Sequence, residues 1–319
     1  MLVPVLAIFA VCLANARAWI GRPFSGLLFL ENGIVVSIGR AQWTHARYRN
    51  VPFSRILAVD GHPVAGGAEI HARVAARGIG ATVTYTLRKG TEITRLRLPV
   101  RPFARADFLE LFFPLLGVGF LMVVVGAAVV ARLPRAPHAH ALFALCLAIG
   151  LYLITGPDEY RPYRFPLLQF VSLCAIAPAT IHLALAYPHR RSVLRRGPIV
   201  HLALYLPFVA LGVALRSSMP TPPIFLPLLY TVYVFTANAA LFYVGGLVLA
   251  LIDGARPREP LLWALAAVGG SVVISLAIFV TYPLLQRPLS PSWLAGPLPL
   301  LPLLKGFAFV RYPLPAVAR

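Results

Sequence analysis

Long apolar runs recur along this chain, separated by short polar segments that are rich in arginine. A helix needs about 20 mainly apolar residues to cross the hydrocarbon core of a bilayer. Charged residues make up only 12% of the 319 residues, against about 25% in soluble domains. The sequence therefore excludes a soluble globule and predicts a polytopic α-helical membrane protein. The runs that predict its spans, eight in all, are 2–16, 108–131, 141–155, 166–187, 199–215, 225–252, 261–285 and 293–310.

Basic residues outnumber acidic ones strongly, with 29 Lys and Arg against 10 Asp and Glu. Only Lys89 and Lys305 are lysines, and the chain is otherwise rich in Ala, Leu and Pro. This bias indicates high-GC codon usage in a bacterium, so we expect no nucleic-acid partner. Lys305 lies near the end of the last run, where we expect its stem to carry the amine to water.

The basic residues near the run ends divide unequally between the two faces of the membrane. Cytoplasmic loops carry the excess of Lys and Arg, so the more basic set of ends is predicted to be cytoplasmic. This puts the C-terminus in the cytoplasm and residues 17–105 outside, in a bacterial inner membrane. The more basic set contains Arg132, Arg135, Arg190, Arg191, Arg195, Arg196, Arg256, Arg258, Arg311 and Arg319, and the other set contains Arg161, Arg164, Arg216 and Arg287.

The first run has two interpretations. It is a retained transmembrane helix within residues 1–20, or it is a cleaved signal peptide, because Ala14-Asn15-Ala16 resembles a cleavage site. No basic residues precede the run, which favours retention. The rest of the predicted topology is the same in either case.

Residues 22–103 change in character, with frequent arginines and patterns typical of strands. The runs 82–87 and 93–98 flank Lys89-Gly90 and predict a hairpin, and 25–31 and 33–38 flank the turn dipeptide Asn32-Gly33. A further strand is expected over 54–60, and helical spacing begins at Gly67. We therefore predict a small α/β domain of about 80 residues, large enough for a modest core.

The order of these elements resembles a PDZ domain. Residues 56–64 are similar to the family's I-x-x-V-n-G-x-x-V strand and turn. The resemblance implies a loop whose backbone N–H groups bind the carboxylate of a peptide or protein C-terminus, beside a strand that pairs with the peptide. Two departures leave open a packing module without peptide binding: the loop has one glycine, and Ser54-Arg55 replaces the usual Gly-Asp. The implied peptide-binding residues are Ser25, Gly26, Leu27 and Leu28.

An extracytoplasmic PDZ-like domain followed by seven helices resembles the sensor module of bacterial multi-pass histidine kinases, such as the competence-pheromone sensors. Residues 182–191 are similar to the end of a middle helix in such modules, and 307–314 to the exit from the last helix. We expect a bundle over 106–312 and a short cytoplasmic tail over 313–319. Because only eight residues follow Arg311, we expect no kinase transmitter, and the resemblance then implies a separate cytoplasmic kinase or cyclase partner.

Enzymatic alternatives lack their motifs. A membrane metalloprotease needs HExxH on a helix, which this sequence does not contain. The three cysteines are far apart in apolar runs, which is typical of buried thiols. We therefore predict no catalytic residue, no metal site and no cofactor.

Polar residues inside apolar runs are candidates for a functional site. Thr231 and Asn238 lie two helical turns apart on one stripe, and His182 lies on another run. These three residues are predicted to form an intramembrane polar seam or pocket. The leading hypothesis is a sensory module that detects a peptide, lipid or envelope cue. The alternative is a PDZ-based scaffold that recruits envelope proteins without signalling.

Overall fold

A computed structural model describes residues 2–40, 43, 51–187, 197–253, 259, 261–262, 265–266 and 298–311. In this part of the chain, five helices are long and apolar enough to cross a membrane. They correspond to the second to sixth predicted runs and confirm a helical membrane protein. They are α3 (Arg105–Arg132), α4 (Pro137–Thr155), α5 (Pro166–Ala186), α6 (Pro198–Ser218) and α7 (Pro222–Ile252).

Two shorter apolar helices flank this set. Helix α1 covers Leu2–Arg17, and α8 covers Leu300–Arg311 at the end of the eighth predicted run. Most of the seventh run, 261–285, lies outside the described residues, as does the start of the eighth. Of the eight predicted spans, five are therefore matched by long apolar helices, and the other three stay predictions.

Proline marks where four of the long helices begin. Pro137, Pro166, Pro198 and Pro222 occupy the first turn of α4 to α7. The first N–H groups of a helix have no partner within it, so a proline there loses no hydrogen bond. Helix α4 consequently begins before the apolar run 141–155 and includes His138 and His140, which gives it the length that the run alone lacks.

The described residues between 23 and 102, here called the β-rich segment, form three of the five predicted strands and the predicted helix. The 4-stranded antiparallel sheet has the order β3-β2-β4-β5, and a 2-stranded sheet pairs the ends of the segment. The 25–38 hairpin is reduced to a bridge between Phe29 and Val35 and flanking hydrogen bonds. The elements are β1 (Pro23–Phe24), β2 (Arg55–Val59), β3 (His62–Pro63), α2 (Gly67–Arg77), β4 (Thr82–Lys89), β5 (Glu92–Pro99) and β6 (Arg101–Pro102).

The β-rich segment has a core of its own. Alternate residues of β4, among them Val83 and Tyr85, pack with Leu96 and Leu98 of β5. Helix α2 covers this layer with Ile70, one turn before Val74. The period of two on the strands and of nearly four on the helix explains why the sequence predicted both elements.

The segment lies against one end of the helices, here called the proximal end. Successive helices alternate in direction, so this end contains the last residues of α1, α4 and α6 and the first residues of α3, α5 and α7. The opposite, distal end contains the last residues of α3, with Arg132 and then Arg135. It also contains Arg311, because the centre of the Phe309 ring on α8 lies 4.9 Å from the centre of the Tyr187 ring at the end of α5.

Helices α3 and α4 approach closely at two glycines. A Cβ atom on Gly119 would lie 2.7 Å from the carbonyl oxygen of Gly150 and 2.9 Å from Ile154. Gly117 lies two residues earlier on α3, and a Cβ atom added there would have no neighbouring atom within 4 Å. Small residues allow helix backbones to approach in this way in membranes.

We predict that Gly119→Ala lowers the free energy of unfolding by about 1–3 kcal/mol, because the added methyl group overpacks the α3–α4 contact. Chemical unfolding in mixed micelles measures this change. Gly117→Ala is the matched control on the same helix and should be neutral or slightly stabilising. Equal losses in the two variants would contradict this account of the contact.

Candidate functional site

Asp107 joins the β-rich segment to the first long helix. Its side chain is 0% exposed and accepts hydrogen bonds from Arg40 at 2.9 Å, Arg101 at 3.0 Å and the Trp43 indole at 3.3 Å. It also caps the start of α3, because the N–H of Ala104 donates at 2.9 Å to Oδ2, the same oxygen that Arg101 contacts. One carboxylate therefore binds two strand-side arginines and the start of a predicted span.

Arg40 strengthens this junction through a second carboxylate. Its Nε lies 2.6 Å from Glu110, one turn further along α3. Burial acts to lower the pKa of Arg40, but its bonds to Asp107 and Glu110 raise the pKa above its ordinary value. The guanidinium therefore stays charged and bridges two carboxylates of the same helix.

Asp158 organises the loop between α4 and α5, here called the 156–165 loop. Its buried carboxylate accepts from the backbone N–H groups of Arg164 at 2.6 Å and Phe165 at 2.8 Å, and from the Asn15 amide of α1 at 3.0 Å. These bonds close the loop on itself and fasten it to the first helix.

The 156–165 loop also contacts helix α2. The neutral ring of His71 donates from Nε2 to the carbonyl oxygen of Tyr160 at 2.9 Å, and the hydroxyl of Tyr163 packs against Gly67. Burial lowers the pKa of His71 to about 4, and Arg161 acts in the same direction, whereas the Tyr160 carbonyl opposes the shift. His71 is therefore uncharged at neutral pH, as a contact within apolar surroundings requires.

A third contact reaches the turn between α6 and α7. The Asn32 amide donates to the carbonyl oxygen of Met219 at 2.8 Å, and Glu31 pairs with Arg216 at 3.0 Å. The Asn32 side chain also accepts from the N–H of Ile34 at 3.1 Å, so the same residue holds its own turn. The Asn32-Gly33 turn therefore both closes a hairpin and docks on the helices.

The predicted peptide-binding residues lie between two cores. Leu27 belongs to the core of the β-rich segment, whereas Leu28 belongs to a cluster that includes Phe112 and Phe225 of the helices. Ser25 shares a 2.6 Å hydrogen bond with Tyr85, and Gly26 has a φ of +85° with open space around its Cα. Peptide binding at this loop stays a prediction.

The face of α2 that a PDZ-like groove would use is covered by the chain itself. The His71 ring lies 4.5 Å from Phe29 and 5.4 Å from Trp19, which follows α1. The 156–165 loop adds Tyr160 and Tyr163 at the same place. The sequence predicted that this loop lies on the same side of the membrane as the β-rich segment and could meet it, but it did not identify His71 as the residue that the loop contacts.

The three residues predicted to form an intramembrane seam are not joined by hydrogen bonds in the described part of the chain. His182 meets the Tyr205 hydroxyl at 3.1 Å and the His201 ring at 4.8 Å. Thr231 and Asn238 are exposed and donate to carbonyls of their own helix, one turn earlier. The two-turn spacing of Thr231 and Asn238 therefore did not predict their hydrogen-bond acceptors, which are carbonyl groups of α7 itself.

The prediction for Lys305 is wrong. We expected its amine to reach water, but its side chain is 0% exposed and its Nζ lies 3.8 Å from the centre of the Tyr243 ring. The position near a helix end favoured the expectation, whereas the packing of α8 against its neighbours decided the outcome.

No family model, no curated protein and no solved structure matches this chain. Among the described residues, no group of three or more His, Cys, Asp or Glu side chains is arranged to hold a metal ion. The candidate functional site is therefore defined by its contacts: the junction formed by Asp107, the 156–165 loop and the Asn32 turn.

We predict that Asp107→Asn lowers the free energy of unfolding by about 2–4 kcal/mol, because two arginines lose their buried counter-charge. Chemical unfolding of the full chain in mixed micelles measures the loss. Glu69→Gln is the control, since it removes an exposed carboxylate that pairs with Arg73 on the surface of α2, and it should change stability little. Unchanged stability in Asp107→Asn would show that the junction is not held by this carboxylate.

Proposed function

We propose that this protein is a sensory module of the bacterial inner membrane. Its β-rich segment, a PDZ-like domain outside the cytoplasm, detects a peptide, lipid or envelope cue. The helices relay the change to a separate cytoplasmic kinase or cyclase. The single observation that carries this proposal is the buried carboxylate of Asp107, through which two arginines of the β-rich segment bind the first turn of a predicted span.

The junction supports relay because it engages several helices at once. Asp107 belongs to α3, the 156–165 loop joins α4 to α5, and Met219 lies between α6 and α7. A shift of the β-rich segment therefore acts on three separate places at the proximal end. Packed helices respond to such shifts as rigid elements, which carries a displacement to the distal end.

The orientation proposed here follows from charge. In the sequence, the set of run ends that contains Arg132, Arg135 and Arg311 carries ten arginines, against four in the other set. These three residues lie at the distal end, and the positive-inside rule assigns the more basic set to the cytoplasm. We propose that the full chain has eight spans with a cytoplasmic C-terminus. The proximal end and the β-rich segment then face the outside.

Cysteine labelling of intact cells tests this orientation. The native thiols Cys12, Cys146 and Cys174 are buried, so their background labelling should be low. We predict that a membrane-impermeant maleimide labels Thr91→Cys, at the exposed tip between β4 and β5, before permeabilisation. Arg135→Cys at the distal end is the matched control and should label only afterwards. The reverse pattern would exclude this topology.

The relay itself is tested by purifying the tagged full chain from its native membranes after cross-linking. We expect a cytoplasmic kinase or cyclase to co-purify, and its activity in the reconstituted complex to change when Asp107→Asn loosens the junction. Glu69→Gln should leave that activity as in the wild type. The absence of such a partner, or an activity unaffected by Asp107→Asn, would contradict the proposal.

The scaffold alternative gives a different result in the same experiment. No described atom lies within 4 Å of the position that a Cβ atom on Gly26 would take, so a side chain can be introduced at the predicted carboxylate loop. Gly26→Asp places a negative charge there and should abolish capture of an envelope protein in a scaffold. Capture that depends on Gly26, together with no cytoplasmic partner, would favour scaffolding over sensing.

A further inference from the structure

Lys305 is a buried amine that has no counter-ion among the residues the structure describes. Its side chain is 0% exposed, and none of the described residues makes a hydrogen bond to Nζ. Aromatic rings surround it, with centres at 3.8 Å for Tyr243, 5.0 Å for Tyr187 and 5.8 Å for Phe309. Cation–π contacts offset only part of the cost of removing an ammonium group from water.

The sequence contains no carboxylate in a position to pair with this amine. Only ten acidic residues are present, and eight of them lie in the β-rich segment or at the proximal end. The other two, Asp253 and Glu259, are exposed at the distal side, and Asp253 is about 15 Å along α7 from Tyr243. The proximal set is Glu31, Asp60, Glu69, Glu92, Asp107, Glu110, Asp158 and Glu159.

A second buried donor beside Lys305 also lacks a partner. The hydroxyl of Tyr243 makes no hydrogen bond to the described residues, although its ring is the one nearest to Nζ. A neutral amine would accept a hydrogen bond from this hydroxyl, and no such bond is formed. Two adjacent donors without an acceptor among the residues that the structure describes indicate a place for an acceptor group at this point.

The surroundings favour a negatively charged acceptor. His138 lies in the first turn of α4, and its ring packs 4.6 Å from Phe309, one turn beyond Lys305 on α8. The N-terminus of α4 carries the positive end of the helix dipole, which favours anions. Lys305 itself lies six residues before Arg311, about 9 Å from the distal end of α8.

We propose that Lys305, Tyr243 and the His138 end of α4 form a binding site for a phosphate group that enters from the distal end. The phosphate belongs either to an anionic lipid headgroup or to free phosphate, since both present the same oxygens to the two donors. Binding replaces part of the ring contacts around Nζ with a charge-assisted hydrogen bond. The site is closed in this structure, so α8 or the Lys305 side chain moves when the anion binds.

The experiment uses the full chain in neutral detergent and follows thermal unfolding as ligand is added. The probes are phosphatidylglycerol, zwitterionic phosphatidylcholine as the lipid control, and inorganic phosphate. We expect phosphatidylglycerol or phosphate to raise Tm, whereas phosphatidylcholine leaves it unchanged. An effect of phosphatidylglycerol alone identifies the lipid as the source, and an effect of phosphate alone identifies the free anion.

Variants separate this site from general attraction to basic helix ends. Lys305→Met should weaken binding by about tenfold or more, and Tyr243→Phe, which keeps the ring, by about fivefold. Arg135→Gln removes an exposed distal charge and should bind nearly as the wild type does. If Lys305→Met does not fold, Tyr243→Phe decides. The proposal is overturned if neither anion raises Tm, or if binding is unchanged in the folded variants.

Discussion

The carboxylate of Asp107 is the interaction on which the arrangement of this protein depends. It lies in the first turn of α3, where it accepts from the backbone of Ala104 and so begins the helix. The same group is the counter-ion for Arg40 and Arg101. Because both oxygens are buried, neither the helix start nor the strand side can rearrange without leaving charges unpaired.

The chain has few acidic residues, and several of their carboxylates each hold a different contact between the β-rich segment, the loops and the helices. Asp158 closes the 156–165 loop, and Glu31 pairs with the turn between α6 and α7. These groups lie at the proximal end, so the β-rich segment docks by specific polar contacts on an otherwise apolar bundle. Lys305 lies in the distal half, where no carboxylate reaches it, and its burial there is the unusual electrostatic feature of the molecule.

Local patterns predicted much of the fold. The β4–β5 hairpin around Lys89-Gly90 was predicted from alternation, and helix α2 from the spacing of Ile70 and Val74. Both patterns report on neighbours within one element, which short-range sequence contains. The candidate site was not predictable in this way. Nothing in the sequence singled out Asp107, because Arg40 is 67 residues away and Arg101, although only six residues away, is one of many arginines in this part of the chain.

The sequence by itself determined that the chain is a helical membrane protein with a β-rich segment after its first apolar run. Too few charged residues exist to cover a soluble surface, and backbone in lipid must satisfy its hydrogen bonds within helices. Only the tertiary structure decided which polar side chains meet. It joined His182 to Tyr205, placed the 156–165 loop against His71, and enclosed Lys305 among aromatic rings. Such contacts depend on how helices rotate and pack against one another, which spacing along a single helix does not specify.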